Sequence, residues 1–238
     1  MNFTNLINFI TSLLFPIKCL WCGFEGEWIC KKCEKNITLN EFQSCPICKH
    51  EKTDGSVCST CKNKKSEPIY FNRLIIAAKY EKEHLIQKLI KTFKYRFIKD
   101  LNIFLGDFLI KIIKKDISNF QNYILIPVPL HNKKLRWRGF NQSELLAKHI
   151  ADDLKINIDK NTLKRIKHTK PQAELERNER LNNLKNAFAI TDQSKIYDKK
   201  IILIDDIATT LTTLNECAKT LKNAHAKEII CVVIGRGK

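Results

Sequence analysis

The sequence has few acidic side chains, few arginines and no apolar run of the length that spans a membrane. Asp and Glu together number 25 against 42 Lys and Arg, which gives a formal net charge of +17 at pH 7. A positive surface favours polyanionic partners. However, only 8 of the 42 basic residues are arginine, and an AT-rich genome produces such a lysine bias without selection for nucleic-acid binding. The charge therefore permits a nucleic-acid partner without identifying one.

A short amphipathic helix is predicted at the amino terminus. Apolar residues recur there at i, i+3 and i+4 spacing, at Phe3, Leu6, Ile7, Ile10, Leu13 and Leu14. The stretch is shorter than the ~20 apolar residues of a membrane span. No basic stretch precedes it and no small-residue cleavage site follows it, so a signal peptide is not expected. We therefore expect no membrane span and a cytoplasmic location, where thiols stay reduced.

Cysteine is concentrated near the start of the chain. Eight of the ten cysteines form four CxxC pairs: Cys19/Cys22, Cys30/Cys33, Cys45/Cys48 and Cys58/Cys61. Two thiolates separated by two residues grip one face of a metal, and two such pairs complete the tetrahedral shell of four cysteines that Zn²⁺ prefers. A disulfide framework would require an oxidising compartment, and thioredoxin-like redox chemistry would require a surrounding βαβ pattern. The spacing therefore predicts two structural zinc sites.

The pairing and the role of these cysteines leave alternatives open. Sequential use of the pairs is favoured by the short loops within each set, whereas a cross-brace would interleave them. Zinc either replaces a core too small to fold alone or builds a nucleic-acid-binding ribbon. Residues 1–65 carry nine Lys against six acids, a small excess that favours the structural role. Cys217 and Cys231 stand apart, on a predicted helix and an apolar strand, and are expected in the core.

The pattern changes to alternating strands and helices after the cysteines. We divide the chain of 238 residues into a zinc-ribbon-like module at 1–65 and a second domain at 66–238. Apolar runs predict strands at 73–80, 124–128, 201–204 and 229–234, and apolar periodicity predicts helices over 85–93, 101–112 and 144–154. Strands that alternate with helices imply an α/β fold with a mostly parallel sheet.

The clearest ligand chemistry follows the apolar run Ile201–Ile204. Asp205 and Asp206, the acid pair, come directly after it, at the sheet edge where open α/β folds bind ligands. Adjacent carboxylates can accept hydrogen bonds from vicinal ribose hydroxyls, while hydroxyls and the N–H groups at a helix start can cradle a phosphate. Such hydroxyls are supplied in the threonine loop, residues 209–213, by Thr209, Thr210, Thr212 and Thr213. An ordinary capped helix start is the alternative, because Asp and Thr are common N-caps.

This segment resembles the ribose-phosphate motif of type I phosphoribosyltransferases, in which a buried strand leads to two acids, two variable residues and a Thr-Thr-Gly-x-Thr-like loop. Leu211 stands where that family has glycine. Glycine lets the backbone approach a phosphate closely or adopt positive φ. We therefore expect Leu211 to narrow the cradle or force another backbone geometry, and Leu211→Gly to tighten ligand binding. The departure bears on catalysis more than on fold.

Three further segments narrow the resemblance. They are Ile126-Pro-Val-Pro-Leu130, then Arg136-Trp-Arg-Gly-Phe-Asn-Gln142, and a third that contains Gln172, Leu175, Arg180, Asn183, Ala187 and Phe188. With the CxxC pairs upstream, this order is similar to that of the ComF family of natural transformation, including relatives with a zinc-binding amino-terminal segment. Arg136 and Arg138, beside the Pro-rich loop, are candidates to bind a diphosphate or a DNA backbone. A solvated basic loop is the alternative.

The resemblance implies a phosphoribosyltransferase-fold protein that binds phosphoribosyl pyrophosphate with Mg²⁺ and handles incoming single-stranded DNA, with other transformation proteins, such as a ComF-associated helicase, as partners. The alternatives are a phosphoribosyltransferase enzyme of nucleotide metabolism and a non-catalytic, zinc-stabilised DNA-binding scaffold. For DNA, basic residues hold the backbone and nearby aromatic side chains stack on bases. The candidates for stacking are Phe93, Tyr95, Trp137 and Phe140.

Overall fold

A computed structural model describes residues 16–50, 52–63, 68–80, 84–95, 98–167 and 184–237. The predicted amino-terminal helix lies outside these ranges, as do residues 64–67 at the predicted domain boundary, so the division at residue 65 stays a prediction. Gln172, Leu175, Arg180 and Asn183 also lie outside them. Within the described ranges, every helix is too short or too polar to cross a membrane.

Within residues 16–50 and 52–63, the Cys-rich part contains two short helices and a small antiparallel ladder. These are α1 (Lys31–Glu34), β1 (Gln43–Ser44), β2 (Lys52–Thr53) and α2 (Ser59–Asn63). After residue 67, longer strands and helices alternate. The strands are β3 (Arg73–Ile76), β4 (Tyr123–Pro127), β5 (Leu163–Arg165), β6 (Phe188–Ile190), β7 (Lys200–Ala208) and β8 (Glu228–Arg236). The helices are α3 (Leu85–Tyr95), α4 (Leu101–Asp116), α5 (Asn132–Arg138), α6 (Gln142–Leu154) and α7 (Thr212–Asn223).

Among the described residues, the central sheet has four parallel strands in the order β3-β8-β7-β4. Its two central strands carry the continuous apolar runs because both of their faces are covered. Ile202 and Ile204 pack with α3, α4 and α6 on one side, while Ile201 and Leu203 pack with α7 and the β5-β6 ladder on the other. The predicted α/β fold with a mostly parallel sheet is confirmed, and Cys217 and Cys231 lie in its core as expected.

Among the strands, two ends differ most from the sequence expectation. The strand predicted over 73–80 ends at Ile76, and the strand predicted over 201–204 continues to Ala208 because β8 pairs with it to that point. The acid pair therefore lies on the last part of β7 rather than after it. Strands β5 and β6 are not predictable from the sequence, since each has only three residues, too few to show a hydrophobic period.

The Cys-rich part is attached to the edge strand β3. The backbone N–H of Ile76 donates to the Gln43 side chain at 2.9 Å, and the Gln43 amide donates to the Ile76 carbonyl at 3.3 Å. The backbone N–H of Leu74 donates to the carbonyl of Gly55 at 2.8 Å. Gly55 has a φ of +96°, and a Cβ at this position would lie 2.4 Å from the Leu74 oxygen, so only glycine fits this contact.

Candidate functional site

The acid pair is held by side chains from two different helices. Lys94, near the end of α3, places its Nζ 2.9 Å from Oδ1 of Asp206. Ser143, in the first turn of α6, donates its hydroxyl to Oδ1 of Asp205 at 2.8 Å, and the same oxygen accepts the backbone N–H of Asp206 at 2.9 Å. Asn141 fixes this first turn, since its side chain accepts the N–H of Ser143 at 3.1 Å. The parallel sheet thus brings three helix and strand ends together at one edge.

The electrostatics of the acid pair depend on burial and on Lys94. Burial and the neighbouring charge of Asp206 raise the pKa of Asp205 to about 7, although Lys94 and Ser143 act in the opposite direction. Burial lowers the pKa of Lys94, but the two carboxylates outweigh burial and raise it. Lys94 is therefore a protonated ammonium group set against two acids in a poorly solvated place. The single positive charge of Lys94 compensates the two carboxylates only in part, so the acid pair remains a strong hydrogen-bond acceptor.

The threonine loop joins β7 to α7 and encloses a small cavity. The cavity has a volume of ≈ 30 Å³ and is lined by Asp205 and residues 207–214. The hydroxyls of Thr210 and Thr212 are 2.9 Å apart. Helix α7 begins directly after Leu211, whose side chain makes no capping hydrogen bond. The N-cap residue therefore does not supply the Asp or Thr cap of the alternative that the sequence left open, and the backbone donors and dipole of α7 face the loop.

Leu211 keeps the backbone geometry that glycine would adopt. Its φ is +65° and its ψ −7°, in the left-handed region, so the leucine does not force another conformation. Its side chain is only 8% exposed and belongs to the apolar cluster under α7. The left-handed conformation costs about 1–2 kcal/mol for a residue with a Cβ, and burial of a leucine contributes about 1.5–3 kcal/mol. Burial therefore offsets the strain that glycine would avoid.

The predicted basic segment forms α5, which ends at Gly139 with a φ of +75°. The Arg138 guanidinium donates to the Gln142 side chain at 2.8 Å and lies 5.7 Å from the Tyr95 ring and 6.0 Å from the Trp137 ring. Because Gln142 precedes Ser143 and Tyr95 follows Lys94, the structure brings Arg138 to the region of the acid pair. Arg136 lies on the exposed side of α5.

Only two of the four aromatic residues proposed for base stacking are accessible. Trp137 is 65% exposed and Tyr95 is 59% exposed. Phe93 and Phe140 are buried, with ring centroids 5.8 Å apart, so the expectation that they stack on bases is wrong. Their apolar side chains serve the core that holds α3 against the start of α6.

Each group of four cysteines that are consecutive in the chain is brought together in space. The sulfur atoms of the first cysteine cluster (Cys19, Cys22, Cys30 and Cys33) lie within 4.8 Å of one another, and so do those of the second (Cys45, Cys48, Cys58 and Cys61). The arrangement is the sequential one. Both clusters use the same turn: Gly23 after Cys22 and Lys49 after Cys48 adopt φ values of +81° and +63°, and each returns its N–H to the carbonyl of the first cysteine of its pair, at 2.9 Å and 3.0 Å.

The donor set of both clusters fits a zinc ion. Burial raises the pKa of Cys19 and Cys45, but backbone N–H donors outweigh burial and bring both to about 6. Burial and the neighbouring thiols raise the pKa of Cys33 and Cys61 to about 12. Four thiolates at this spacing repel one another unless a cation lies between them. Four sulfur ligands without an open position are the donor set of structural zinc sites.

Sequence comparisons match the region that carries this site. The phosphoribosyl transferase domain family matches residues 141–237, which run from the start of α6 to the end of β8. Competence protein F of Haemophilus influenzae is 30% identical over 227 residues, which cover 90% of this chain and 95% of that protein. The chain belongs to the ComF family.

Other ComF relatives have similar lengths. Competence protein ComFC of Bacillus subtilis is 27% identical over 201 residues, covering 82% of this chain and 78% of that protein. DNA utilization protein YhgH of Escherichia coli is 27% identical over 230 residues, covering 92% of this chain and 98% of that protein. The parallel sheet and the matched domain confirm the type I phosphoribosyltransferase fold in this ComF chain, joined to an amino-terminal part with two cysteine clusters.

Lys94 and Ser143 lie at the site but are not predicted from the sequence. Lys94 is one of many lysines on helical segments, and only the fold shows that it meets Asp206. Ser143 directly follows the Asn-Gln segment of the family resemblance, so its position in the chain was a usable but weak signal. Both residues act across long sequence distances, which single-sequence patterns do not reveal.

Proposed function

We propose that this ComF-family protein binds phosphoribosyl pyrophosphate at the carboxyl end of β7 and uses this site in the handling of incoming single-stranded DNA during natural transformation. The observation that carries the proposal is the combination, in one loop, of an acid pair whose Asp206 is buried with a helix start whose N-cap residue, Leu211, offers no capping side chain. A capped structural turn has no need of two adjacent carboxylates, one buried and one half-buried. A ribose phosphate suits both features, because its ribose hydroxyls can bind the acid pair while its phosphate binds the start of α7.

Each part of the site has a distinct task in this proposal. Asp205 and Asp206 accept hydrogen bonds from the ribose hydroxyls. The threonine hydroxyls and the N–H groups at the start of α7 hold the 5-phosphate. Arg136 and Arg138 face the diphosphate, whose charge a bound Mg²⁺ neutralises. Catalysis at such a site consists of positioning and charge stabilisation, with no nucleophilic side chain.

The two cysteine clusters hold two structural zinc ions, one each, in the reducing cytoplasm. All four ligands of each ion come from the chain, so the ions have no open position for a substrate. Their task is to fold a part of the chain whose own apolar core is small. Hydrogen bonds to Leu74 and Ile76 attach this Cys-rich part to the edge strand β3 of the central parallel sheet.

Calorimetry with phosphoribosyl pyrophosphate and Mg²⁺ tests the proposal without knowledge of an acceptor base. We expect saturable binding that the double substitution Asp205→Asn with Asp206→Asn weakens at least about tenfold, because charge-assisted hydrogen bonds contribute about 1.5–3 kcal/mol each. The matched control is Asp152→Asn with Asp153→Asn, an adjacent exposed acid pair on α6. Absence of binding by the natural sequence, or equal losses in both double variants, would contradict the proposal.

The role in DNA handling is favoured by the exposed side chains beside the site. Trp137 and Tyr95 flank the Arg138 guanidinium, an arrangement that suits base stacking next to a phosphate contact. Relatives named for competence and DNA utilization support the same role, and a transformation helicase is the kind of partner it implies. Turnover of a free base would instead favour an enzyme of nucleotide metabolism. Loss of ligand binding with retained DNA binding would favour a non-catalytic scaffold.

A further inference from the structure

Lys94 occupies an unusual place for a lysine. Its side chain is 20% exposed, and its ammonium group lies 2.9 Å from the carboxylate of Asp206, which is itself buried. The lysine comes from the last turn of α3, far in sequence from β7. A long flexible side chain loses conformational freedom in such a place, and the ion pair must offset the desolvation of both partners.

We propose that Lys94 is a positioning residue of the ribose-phosphate site, whose ammonium group holds the Asp206 carboxylate in place and keeps both acids available as charged acceptors for the ligand. This inference rests on the proposed function, because it assigns the acids a ligand. Lys94 acts through the acids and is not itself assigned a contact with the ligand.

Groups from six elements face Asp205 and influence its protonation. They are Asp206 on β7, Lys94 on α3, Ser143 on α6, Arg165 on β5, Cys217 on α7 and Cys231 on β8. Burial raises the pKa of both thiols well above the ordinary value, so they are neutral. Ser143 contributes a hydrogen bond without charge. Lys94 is the cation that acts most strongly on Asp205, whereas Arg165 has a side chain over the ring of Phe188.

Loss of the lysine charge has a defined effect on protonation. Burial and Asp206 already raise the pKa of Asp205 to about 7, and Lys94 is the first of the influences that oppose this. Without the ammonium group the pKa rises further, so one proton stays on the acid pair at neutral pH. A protonated carboxyl is a poorer acceptor for a ribose hydroxyl. Ligand binding should therefore weaken near neutrality and recover as the pH rises.

The test is the pH profile of affinity for phosphoribosyl pyrophosphate with Mg²⁺, measured by calorimetry between about pH 6 and pH 9. For Lys94→Met we expect the midpoint of the profile to move up by about one unit or more, with affinity reduced about tenfold at neutral pH. Lys94→Arg should keep the profile, because it restores the charge. Lys91→Met, on the exposed side of the same helix, is the matched control and should change nothing.

Uniform weakening of Lys94→Met at every pH would overturn the inference, because simple attraction of the anionic ligand predicts that result. No change in affinity or profile would overturn it as well. Carbon-13 NMR titration of the aspartate carboxyls in the ligand-free protein separates this inference from the proposed function. If the natural sequence binds no ligand, the function fails, and a higher carboxyl midpoint in Lys94→Met still supports the action of Lys94 on the acids. An unchanged carboxyl midpoint in Lys94→Met would contradict the inference even if the ligand binds.

Discussion

The guanidinium group of Arg236 donates a hydrogen bond to the carbonyl oxygen of Pro46, within the turn between Cys45 and Cys48. Arg236 is the last residue of β8 and pairs in register with Ala208 at the end of β7. The next residue, Gly237, donates its N–H to the Ala208 carbonyl at 2.8 Å. One residue therefore joins the second cysteine cluster to the strand end that carries the threonine loop.

Arg236→Met should loosen the second cysteine cluster from the sheet. The donor of this half-buried link is charged, and hydrogen bonds of charged groups contribute about 1.5–3 kcal/mol. We expect amide hydrogen exchange in residues 43–61 to become at least about tenfold faster while two zinc ions stay bound. Lys227→Met, exposed before the opposite end of β8, is the control. Unchanged exchange in Arg236→Met would show that the contacts of Gln43 and Gly55 suffice to hold the cluster.

Elemental analysis of protein purified without added metal should give two zinc ions per chain, one for each cluster. Cys22→Ser and Cys48→Ser should each lower the count by about one, because each removes a ligand from a different closed shell. Cys217→Ala removes a core thiol that faces neither cluster and should leave the count unchanged. A count near zero in a folded protein would contradict the zinc assignment. A combined loss of both ions in either single variant would show that the clusters fold as one unit.

Leu211→Gly should leave the affinity for phosphoribosyl pyrophosphate within about threefold of the natural value. The backbone is already left-handed at this position and the leucine side chain is buried beneath α7, so glycine opens little space in the loop. Loss of that burial should lower the free energy of unfolding by about 0.5–1 kcal/mol after relief of backbone strain. Denaturant unfolding and calorimetry measure the two effects separately. Tighter binding by tenfold would restore the sequence-based expectation that the leucine narrows the cradle.

Local patterns predicted the parts of this protein that depend on neighbours in the chain. The apolar run Ile201–Ile204, the acid pair and the spacing of the CxxC pairs are all short-range features, and they indicated the parallel sheet, the candidate loop and the cysteine clusters. The sequential pairing followed from short loops. Local patterns could not predict that Trp137 is exposed and Phe140 is buried, because both are aromatic residues in the same segment.

Long-range contacts account for what the sequence did not reveal. Lys94 and Asp206 are separated by more than a hundred residues, and no periodicity links them. The end of β7 was misplaced because its extension depends on pairing with β8 rather than on apolar content. The geometry of Leu211 also depends on tertiary packing, since only burial under α7 stabilises a leucine in a left-handed conformation.

Trp137→Ala should weaken single-stranded DNA binding at least about fivefold, because stacking of one base contributes about 1–3 kcal/mol. Tyr197→Ala is the matched control, since Tyr197 is also exposed but precedes the opposite end of β7. Single-stranded DNA should bind more tightly than duplex of equal length, and its affinity should fall as salt rises. Fluorescence anisotropy measures all three. Equal affinities for the two DNA forms, with no effect of Trp137→Ala, would reduce the interaction to general attraction by a basic protein.

The two adjacent acids should have opposite effects on stability when each is made neutral. The pKa of Asp205 is raised from 3.8 to about 7, chiefly by burial, so between these pH values the folded state binds more protons than the unfolded state. Stability therefore falls as the pH rises toward 7, and the full cost of the Asp205 charge is present above it. Asp205→Asn removes that cost and keeps an acceptor for the Ser143 hydroxyl. Its midpoint of thermal unfolding should exceed the natural one by at least about 2 °C above neutral pH.

The gain from Asp205→Asn should vanish toward pH 4, where the natural carboxyl is protonated as well. Asp206→Asn should instead lower the midpoint at neutral pH, because it leaves the poorly solvated ammonium group of Lys94 without its carboxylate partner. Calorimetric unfolding of both variants across this pH range measures the rise in the midpoint for one variant and the fall for the other. If both substitutions lowered the midpoint equally above neutral pH, removal of the Asp205 charge would bring no gain in stability. The ionised Asp205 carboxylate would then cost the folded state little free energy. Such an acid would keep its acceptor function without help from Lys94.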